Sequence, residues 1–128
     1  MRRRSRWVLV GTGAGLIAAG LMLRGIPGVF GDLAGGVLYA ALVFVLIAVL
    51  FPAASGVRIG SAAFLLCAAV ELLQLTGLPL AIAGVVPPLR LVLGTTFVAT
   101  DLVAYAIGAA CSTGVDLLLR RRFPAGAE

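Results

Sequence analysis

Four long apolar runs constrain the fold of this 128-residue chain more than any other feature. They cover about residues 7–23, 33–51, 60–76 and 97–119, and breaks rich in Gly, Pro and Arg separate them. A helix needs roughly 20 apolar residues, with a range of about 17–25, to cross the hydrocarbon core of a bilayer. The runs are continuous rather than alternating, which argues against the strands of a membrane barrel. The pattern predicts an all-α membrane protein, a bundle of four transmembrane helices.

The composition supports the same interpretation. The chain is 62% hydrophobic and 12% charged, whereas soluble domains are about 45–50% apolar and about 25% charged. A chain of this length forms one domain, and it is too short to bury so much apolar surface in a water-soluble core. We therefore predict a single transmembrane domain over residues 1–128.

The positions of the arginines predict how the helices are oriented. Arginines cluster at both ends of the chain, in residues 2–6 and 120–122. By the positive-inside rule both ends should be cytoplasmic, which requires an even number of crossings. The loop with Arg58 is then cytoplasmic, and the segments with Arg24 and Arg90 face outward. We expect a multi-pass protein of the plasma (inner) membrane.

A second interpretation of the first apolar run remains open. A basic segment followed by an apolar stretch is also typical of a signal peptide. Its cleavage would leave three helices, with the N-terminus outside and the C-terminus inside. The run is long for such a segment and no A-x-A site is evident, so we favour a retained helix.

The stretch between the third and fourth runs differs from the other breaks. Residues 80–96 are apolar, but Pro87 and Pro88 interrupt them and Arg90 adds a charge. Because this stretch is too broken to span a bilayer, we predict a short helix at the outer interface, between the third and fourth transmembrane helices.

Several chemistries are disfavoured by the residue types present. The chain has no His, which removes His-based zinc sites and Ser-His-Asp triads. Cys67 and Cys111 lie inside apolar runs without a CxxC spacing, and we interpret them as small buried hydrophobes. The net charge of +5 comes without aromatic residues interleaved among basic ones, which disfavours nucleic-acid binding. We predict no metal, no cofactor and no enzymatic activity.

Small residues recur at every fourth position in the first two runs. A dinucleotide-binding loop is disfavoured, because Leu16 stands where its third glycine should be. Small residues at this spacing instead let helices approach closely, and they leave open a homo-oligomer. The residues concerned are Gly11, Gly15 and Ala19 in the first run, and Gly31 and Gly35 at the start of the second helix.

Polar side chains gather near the outward ends of the predicted helices. Spacings of three and four residues place Glu71 with Gln74, and Asp101 with Tyr105, on shared helix faces. An ionisable residue within a membrane is costly unless it is paired, neutral or facing a polar cavity, so it marks a candidate functional site. The predicted cluster consists of Arg24, Asp32 (which opens the second helix), Glu71, Gln74, Arg90, Asp101 and Tyr105.

Three interpretations of this cluster remain open. In the first, Arg90 holds Glu71 and Asp101 as a structural clamp between helices. In the second, the cluster binds a ligand or carries out chemistry. In the third, its side chains only extend to the membrane interface. Elsewhere, Asp116 and Arg120 are four residues apart, and we predict a local structural pair.

The polar residues also occur in an order that resembles a known family. The order is Gly20-x-x-x-Arg24, Gly31-Asp32-Leu33, Glu71-x-x-Gln74, Arg90 and Asp101-x-x-x-Tyr105-x-x-Gly108. It resembles the bacterial membrane proteins grouped as domain of unknown function 2809, over about residues 16–110. After Leu33 the chain departs from that pattern, because Ala34-Gly35-Gly36 stands before Tyr39-Ala40 where a Trp-Ala pair is expected.

The order is more distantly similar to the VanZ-like family linked to teicoplanin resistance. In that family an Asn usually stands at the position of Tyr105. Together the two resemblances imply a four-helix bacterial membrane protein that acts at the cell envelope.

The function that we expect is the binding of an amphipathic ligand from the outer leaflet. A lipid-linked envelope precursor or a lipoglycopeptide would fit, because arginine binds phosphate and carboxylate groups bidentately. Membrane lipids would be further partners. The alternatives are a structural or assembly protein and a proton-coupled carrier that uses Glu71 and Asp101, which would need an oligomer. A membrane enzyme with paired carboxylates ranks lowest.

Overall fold

The computed structural model describes residues 3–122, and within that range the chain is all α-helical. Four of the helices are long and apolar enough to cross a membrane, which confirms the predicted set of four. The helices are α1 (Arg6–Leu23), α2 (Gly28–Leu50), α3 (Gly56–Gln74), α4 (Leu78–Val85), α5 (Arg90–Leu93) and α6 (Ala99–Arg122), with a 3₁₀ turn (Pro87–Leu89) before α5.

Each predicted run corresponds to one long helix, but the helix ends differ from the predicted bounds. α2 begins at Gly28 rather than at residue 33, so Asp32 lies in its second turn and does not open it. α3 begins at Gly56 rather than at residue 60. The predicted bounds followed the apolar side chains, whereas the first turns of α2 and α3 also include small and polar residues. The hydroxyl of Ser55 accepts a backbone N–H of α3, at 3.3 Å.

α2 lies at the centre of the bundle. It packs against α1, α3 and α6, and α3 also packs against α6. Among the described helices α1 contacts only α2, and Gly13 is its one buried residue. α1 is therefore the outlying helix, with most of its apolar surface uncovered.

Small residues allow α2 and α6 to approach each other closely. A Cβ atom added to Gly36 would lie 2.6 Å from the Cβ of Ala104. One added to Gly108 would lie 2.9 Å from the Cβ of Ala40. Carbon atoms in favourable contact are about 3.5–4.0 Å apart, so this crossing requires glycine at both positions.

Other predicted packing positions differ from the contacts. Gly11 and Gly15 have no atom of another element within 4 Å of an added Cβ, whereas Gly13 faces α2. A periodic spacing identifies a helix face, but it does not say which face a neighbour covers. Cys67 is buried as predicted, but the prediction for Cys111 is wrong, because Cys111 is exposed. An apolar run does not say which side chains of a helix its neighbours cover.

One end of the bundle joins the two arginine-rich ends of the chain. Arg4 donates to both carboxylate oxygens of Asp116, at 2.6 and 2.7 Å, and to the carbonyl of Ala54 at 2.9 Å. Arg120 lies 3.4 Å from Asp116, which confirms the predicted local pair, and it donates to Ala54 at 3.1 Å. We call this the basic end. The α1–α2 turn and residues 75–98 lie at the opposite end.

Candidate functional site

Glu71 occupies the interior of the bundle near the end opposite to the basic end, with no exposed surface. One carboxylate oxygen accepts the backbone N–H of Val98 at 2.7 Å. The other accepts the hydroxyl of Tyr105 at 2.9 Å. Val98 directly precedes α6, where N–H groups lack partners within the helix. Glu71 thus joins α3 to the beginning of α6.

Gln74, one turn further along α3, holds the short helix α5. Its Nε2 donates to the carbonyl of Leu93 at 2.6 Å. Gly94 follows with a φ of 64°, a conformation that favours glycine, and an added Cβ would lie 2.5 Å from that Nε2. Tyr39 of α2 donates to the carbonyl of Val92 at 2.9 Å. Residues 92–94 are therefore fixed against both α2 and α3.

A polar cavity of about 380 Å³ opens between α1, α2 and the beginning of α6. Its charged lining consists of Arg24, Asp32 and Asp101, and the two tyrosines Tyr39 and Tyr105 add hydroxyl groups and rings. Several glycines of α1 and α2 also line it, and their missing side chains leave the space open. We call this space the polar cavity.

A smaller cavity of about 160 Å³ lies towards α3 and α5. Gln74 lines it, and the Oε1 of Gln74 is buried with no hydrogen-bond partner among residues 3–122. Tyr39, Asp101 and Tyr105 line both cavities. The two tyrosine rings lie 5.8 Å apart between centroids, tilted by 49°. This pair and Asp101 therefore form the wall between the two spaces.

The structure brings most of the predicted cluster together, but in two groups. Arg24, Asp32, Asp101 and Tyr105 line the polar cavity. Glu71 lies behind Tyr105, and Gln74 lies beside the smaller cavity. Glu71 and Gln74 therefore hold helices in place, whereas the first group borders open space.

Arg90 lies apart from the rest of the cluster. It is exposed at the first position of α5 and lines neither cavity. In residues 3–122 the ion pairs join Asp116 to Arg4 and Arg120. The clamp, one of the three interpretations left open by the sequence, would have Arg90 hold Glu71 and Asp101, and this is not the arrangement found. Glu71 instead accepts hydrogen bonds from two neutral donors, the N–H of Val98 and the hydroxyl of Tyr105.

Sequence reasoning missed Tyr39 as a residue of the site. A signal was present, because Asp32, Gly35, Gly36 and Tyr39 follow the i, i+3, i+4, i+7 spacing of one helix face. Reasoning from Asp32 along that face reaches Tyr39 directly. The contact of Arg4 with Asp116 had no comparable signal, since 112 residues separate the two.

The polar cavity presents hydrogen-bonding groups of several kinds. One guanidinium and two carboxylates can pair with groups of either charge, and the phenols can donate or accept hydrogen bonds. Among the described residues no group of three or more His, Cys, Asp or Glu side chains could hold a metal ion.

The sequence matches a protein family over most of the region that forms the site. Residues 26–109 match the family described as "Protein of unknown function (DUF2809)". The chain belongs to the DUF2809 family. The match includes α2, α3 and the beginning of α6, and Arg24 lies just before it. No curated protein and no solved structure gives a significant match to this DUF2809 chain.

Proposed function

We propose that this DUF2809 protein binds the polar head of an amphipathic ligand in the polar cavity. The observation that carries the proposal is the charged lining of the cavity. Arg24, Asp32 and Asp101 border one open space, and within residues 3–122 they make no ion pair. Charged groups at membrane depth are costly without a partner, so a bound polar group would stabilise them.

The lining also indicates the chemistry of the ligand. Arg24 suits a phosphate or carboxylate, because its planar guanidinium binds two oxygens at once. Asp32 and Asp101 would accept hydrogen bonds from hydroxyl or amino groups. Leu23, Ile26 and Val98 complete the lining with apolar surface. A polar head joined to an apolar tail, as in a lipid-linked envelope precursor or a lipoglycopeptide, fits this combination.

The proposed setting is the bacterial plasma membrane, with the basic end in the cytoplasm. The four apolar helices support a multi-pass membrane protein, and the positive-inside rule supports this orientation. The polar cavity would then face the outer leaflet, with α4 and α5 at the outer interface.

A structural or assembly function is the second candidate, and the geometry of Glu71 favours it. Both oxygens of this buried carboxylate are occupied, one by the hydroxyl of Tyr105 in α6 and the other by the N–H of Val98 just before α6. Under this function the polar cavity would bind no ligand and would only be a gap between helices held apart by these contacts. The protein would then act by packing its helix faces against a partner protein. A proton-coupled carrier would differ from both, because it would give proton-dependent flux in proteoliposomes.

Native mass spectrometry of protein extracted gently from its own membrane tests the proposal. The variants are Arg24→Gln and Asp101→Asn, which remove charges from the polar cavity. The matched control is Arg90→Gln, because Arg90 is also an arginine at this end of the bundle but lies outside the cavity. We expect a lipid-like ligand to remain with the wild type and the control, and to be lost from the two variants.

Two results would overturn the proposal. Equal ligand retention in all four proteins would place binding elsewhere on the surface. No retained ligand in any protein, with equal melting temperatures, would favour the structural function and a search for a partner protein.

A further inference from the structure

A separate cavity of about 340 Å³ lies at the basic end, between the beginning of α1 and the end of α6. Within residues 3–122 the backbones of these two helices do not pack closely against each other. Arg3, Arg4 and Arg120 line the cavity together with Asp116, and Val8 and Leu119 add apolar side chains. It lies at the opposite end of the molecule from the polar cavity and shares no residue with it.

The charges of this cavity are not balanced. Asp116 is engaged by Arg4, whose side chain is 8% exposed, and this pair is neutral in sum. Arg3 and Arg120 remain, so the cavity keeps an excess of positive charge. A basic surface of this kind attracts anionic headgroups.

One donor in the cavity also lacks an acceptor. The Nε–H of Arg120 is buried and has no hydrogen-bond partner among residues 3–122. It lies 3.4 Å from Asp116, close enough for charge attraction but without hydrogen-bond geometry. Buried donors in folded proteins are nearly always paired, so among residues 3–122 Asp116 satisfies the guanidinium of Arg120 only in part.

Apolar side chains continue the cavity along the bundle. Val8 is 67% exposed and Leu119 is 55% exposed, and both lie beside the arginines. The gap between α1 and α6 extends this apolar surface, because α1 packs only against α2. An occupant would therefore have an anionic head at the arginines and an apolar body between the two helices.

We propose that this cavity binds an anionic phospholipid, with the phosphate at Arg3 and Arg120 and an acyl chain along Val8 and Leu119. A free phosphate would use the same arginines but would leave the apolar surface unoccupied. The continuity of the charged and apolar linings favours the lipid. The proposal does not depend on the function proposed for the polar cavity.

Native mass spectrometry of detergent-solubilised protein, titrated with phosphatidylglycerol or phosphatidylcholine, tests this site. The test variant is Arg3→Gln, because Arg3 is exposed and its loss leaves the Arg4–Asp116 pair in place. The matched control is Arg58→Gln, an exposed arginine near the basic end that does not line the cavity. A second variant, Arg120→Lys, keeps the charge and removes the Nε–H.

We expect wild type and Arg58→Gln to bind phosphatidylglycerol more tightly than phosphatidylcholine. Arg3→Gln should weaken phosphatidylglycerol binding about fivefold, the typical contribution of one basic residue near anionic lipid. Arg120→Lys should also weaken binding, although its charge is unchanged, because a lysine cannot supply the same fork of donors.

Three results would overturn the proposal. Equal binding of the two lipids would remove the preference for an anionic head. An equal loss in Arg3→Gln and Arg58→Gln would indicate a diffuse basic surface rather than a site. Displacement of phosphatidylglycerol by millimolar inorganic phosphate, with the same dependence on Arg3, would identify a free-anion site.

Discussion

The hydroxyl of Tyr105 in α6 donates a 2.9 Å hydrogen bond to the buried carboxylate of Glu71 in α3, 34 residues earlier in the chain. The second oxygen of Glu71 holds the N–H of Val98. A buried acid among apolar helices is a candidate ligand-binding group by default. Here both of its oxygens are used to hold α6, and the open charged groups lie on the other side of Tyr105.

Glu71→Ala should lower the free energy of unfolding by about 2–4 kcal/mol, because the buried hydroxyl of Tyr105 and the partly buried N–H of Val98 lose their acceptor. A fully buried donor without a partner costs about 1–3 kcal/mol, and a partly buried one costs less. Glu71→Gln should lower it by about 1 kcal/mol, since the amide oxygen can accept from Val98 and its NH₂ can donate to Tyr105. Thermal unfolding in detergent measures both. Glu71→Gln should also retain the ligand of the polar cavity.

A double-mutant cycle of Glu71→Ala with Tyr105→Phe provides the control for this prediction. The two changes should couple by about 1 kcal/mol, because they remove the same hydrogen bond. Independent effects, or a Glu71→Ala variant as stable as wild type, would contradict the structural function of Glu71.

Asp116→Ala should destabilise the basic end. Breaking a buried ion pair costs about 3–5 kcal/mol, and an exposed one is worth about 1 kcal/mol or less. The side chains of Arg4 and Asp116 are 8% and 11% exposed, but they lie near the end of the bundle. We therefore expect Asp116→Ala to lower the free energy of unfolding by about 2 kcal/mol. Chemical unfolding measures the change. The control is Arg121→Ala, which removes an exposed arginine one residue beyond Arg120 and should leave the free energy of unfolding unchanged. Equal destabilisation by the two changes would contradict a specific contribution of the Arg4–Asp116 pair.

Two adjacent glycines of α2 provide a matched test of the α2–α6 crossing. Gly36→Ala places a methyl group 2.6 Å from the Cβ of Ala104, and overpacking of this kind costs about 1–3 kcal/mol. Gly35→Ala meets no atom within 4 Å and should leave the melting temperature unchanged. A melting temperature lowered equally by both changes would contradict the close approach of the two helices.

Gln74→Leu should loosen the segment between α4 and α6. The change removes the hydrogen bond to the Leu93 carbonyl, so hydrogen exchange should increase in residues 86–97 while the long helices stay protected. Ser112→Ala is the control, because the Ser112 hydroxyl bonds only to a carbonyl of its own helix. Unchanged exchange in Gln74→Leu would show that α5 is held by other contacts.

The four long helices could be predicted from the sequence because their signal is local and strong. A continuous apolar run leaves the backbone few alternatives in hydrocarbon. The joint location of Asp32, Asp101 and Tyr105 could also be predicted, since helix order and residue depth place them at one end. The family resemblance over α2, α3 and α6 is confirmed by the match to residues 26–109.

Contacts between helices could not be predicted in the same way. The spacing of small residues does not reveal the rotation of a helix, so Gly13 rather than Gly11 or Gly15 faces α2. Charge alone suggested Arg90 as the partner of Glu71, but a carboxylate is also satisfied by neutral donors, and nothing local in the sequence marks the N–H of Val98 as one.

A crystal structure grown from a lipidic mesophase with native lipid retained is the most direct test of the polar cavity. We expect non-protein density between α1, α2 and α6, with a polar head in contact with Arg24 and Asp101. The contradicting result is a closed cavity in which Arg24 pairs directly with Asp32 or Asp101 and leaves no room for a ligand.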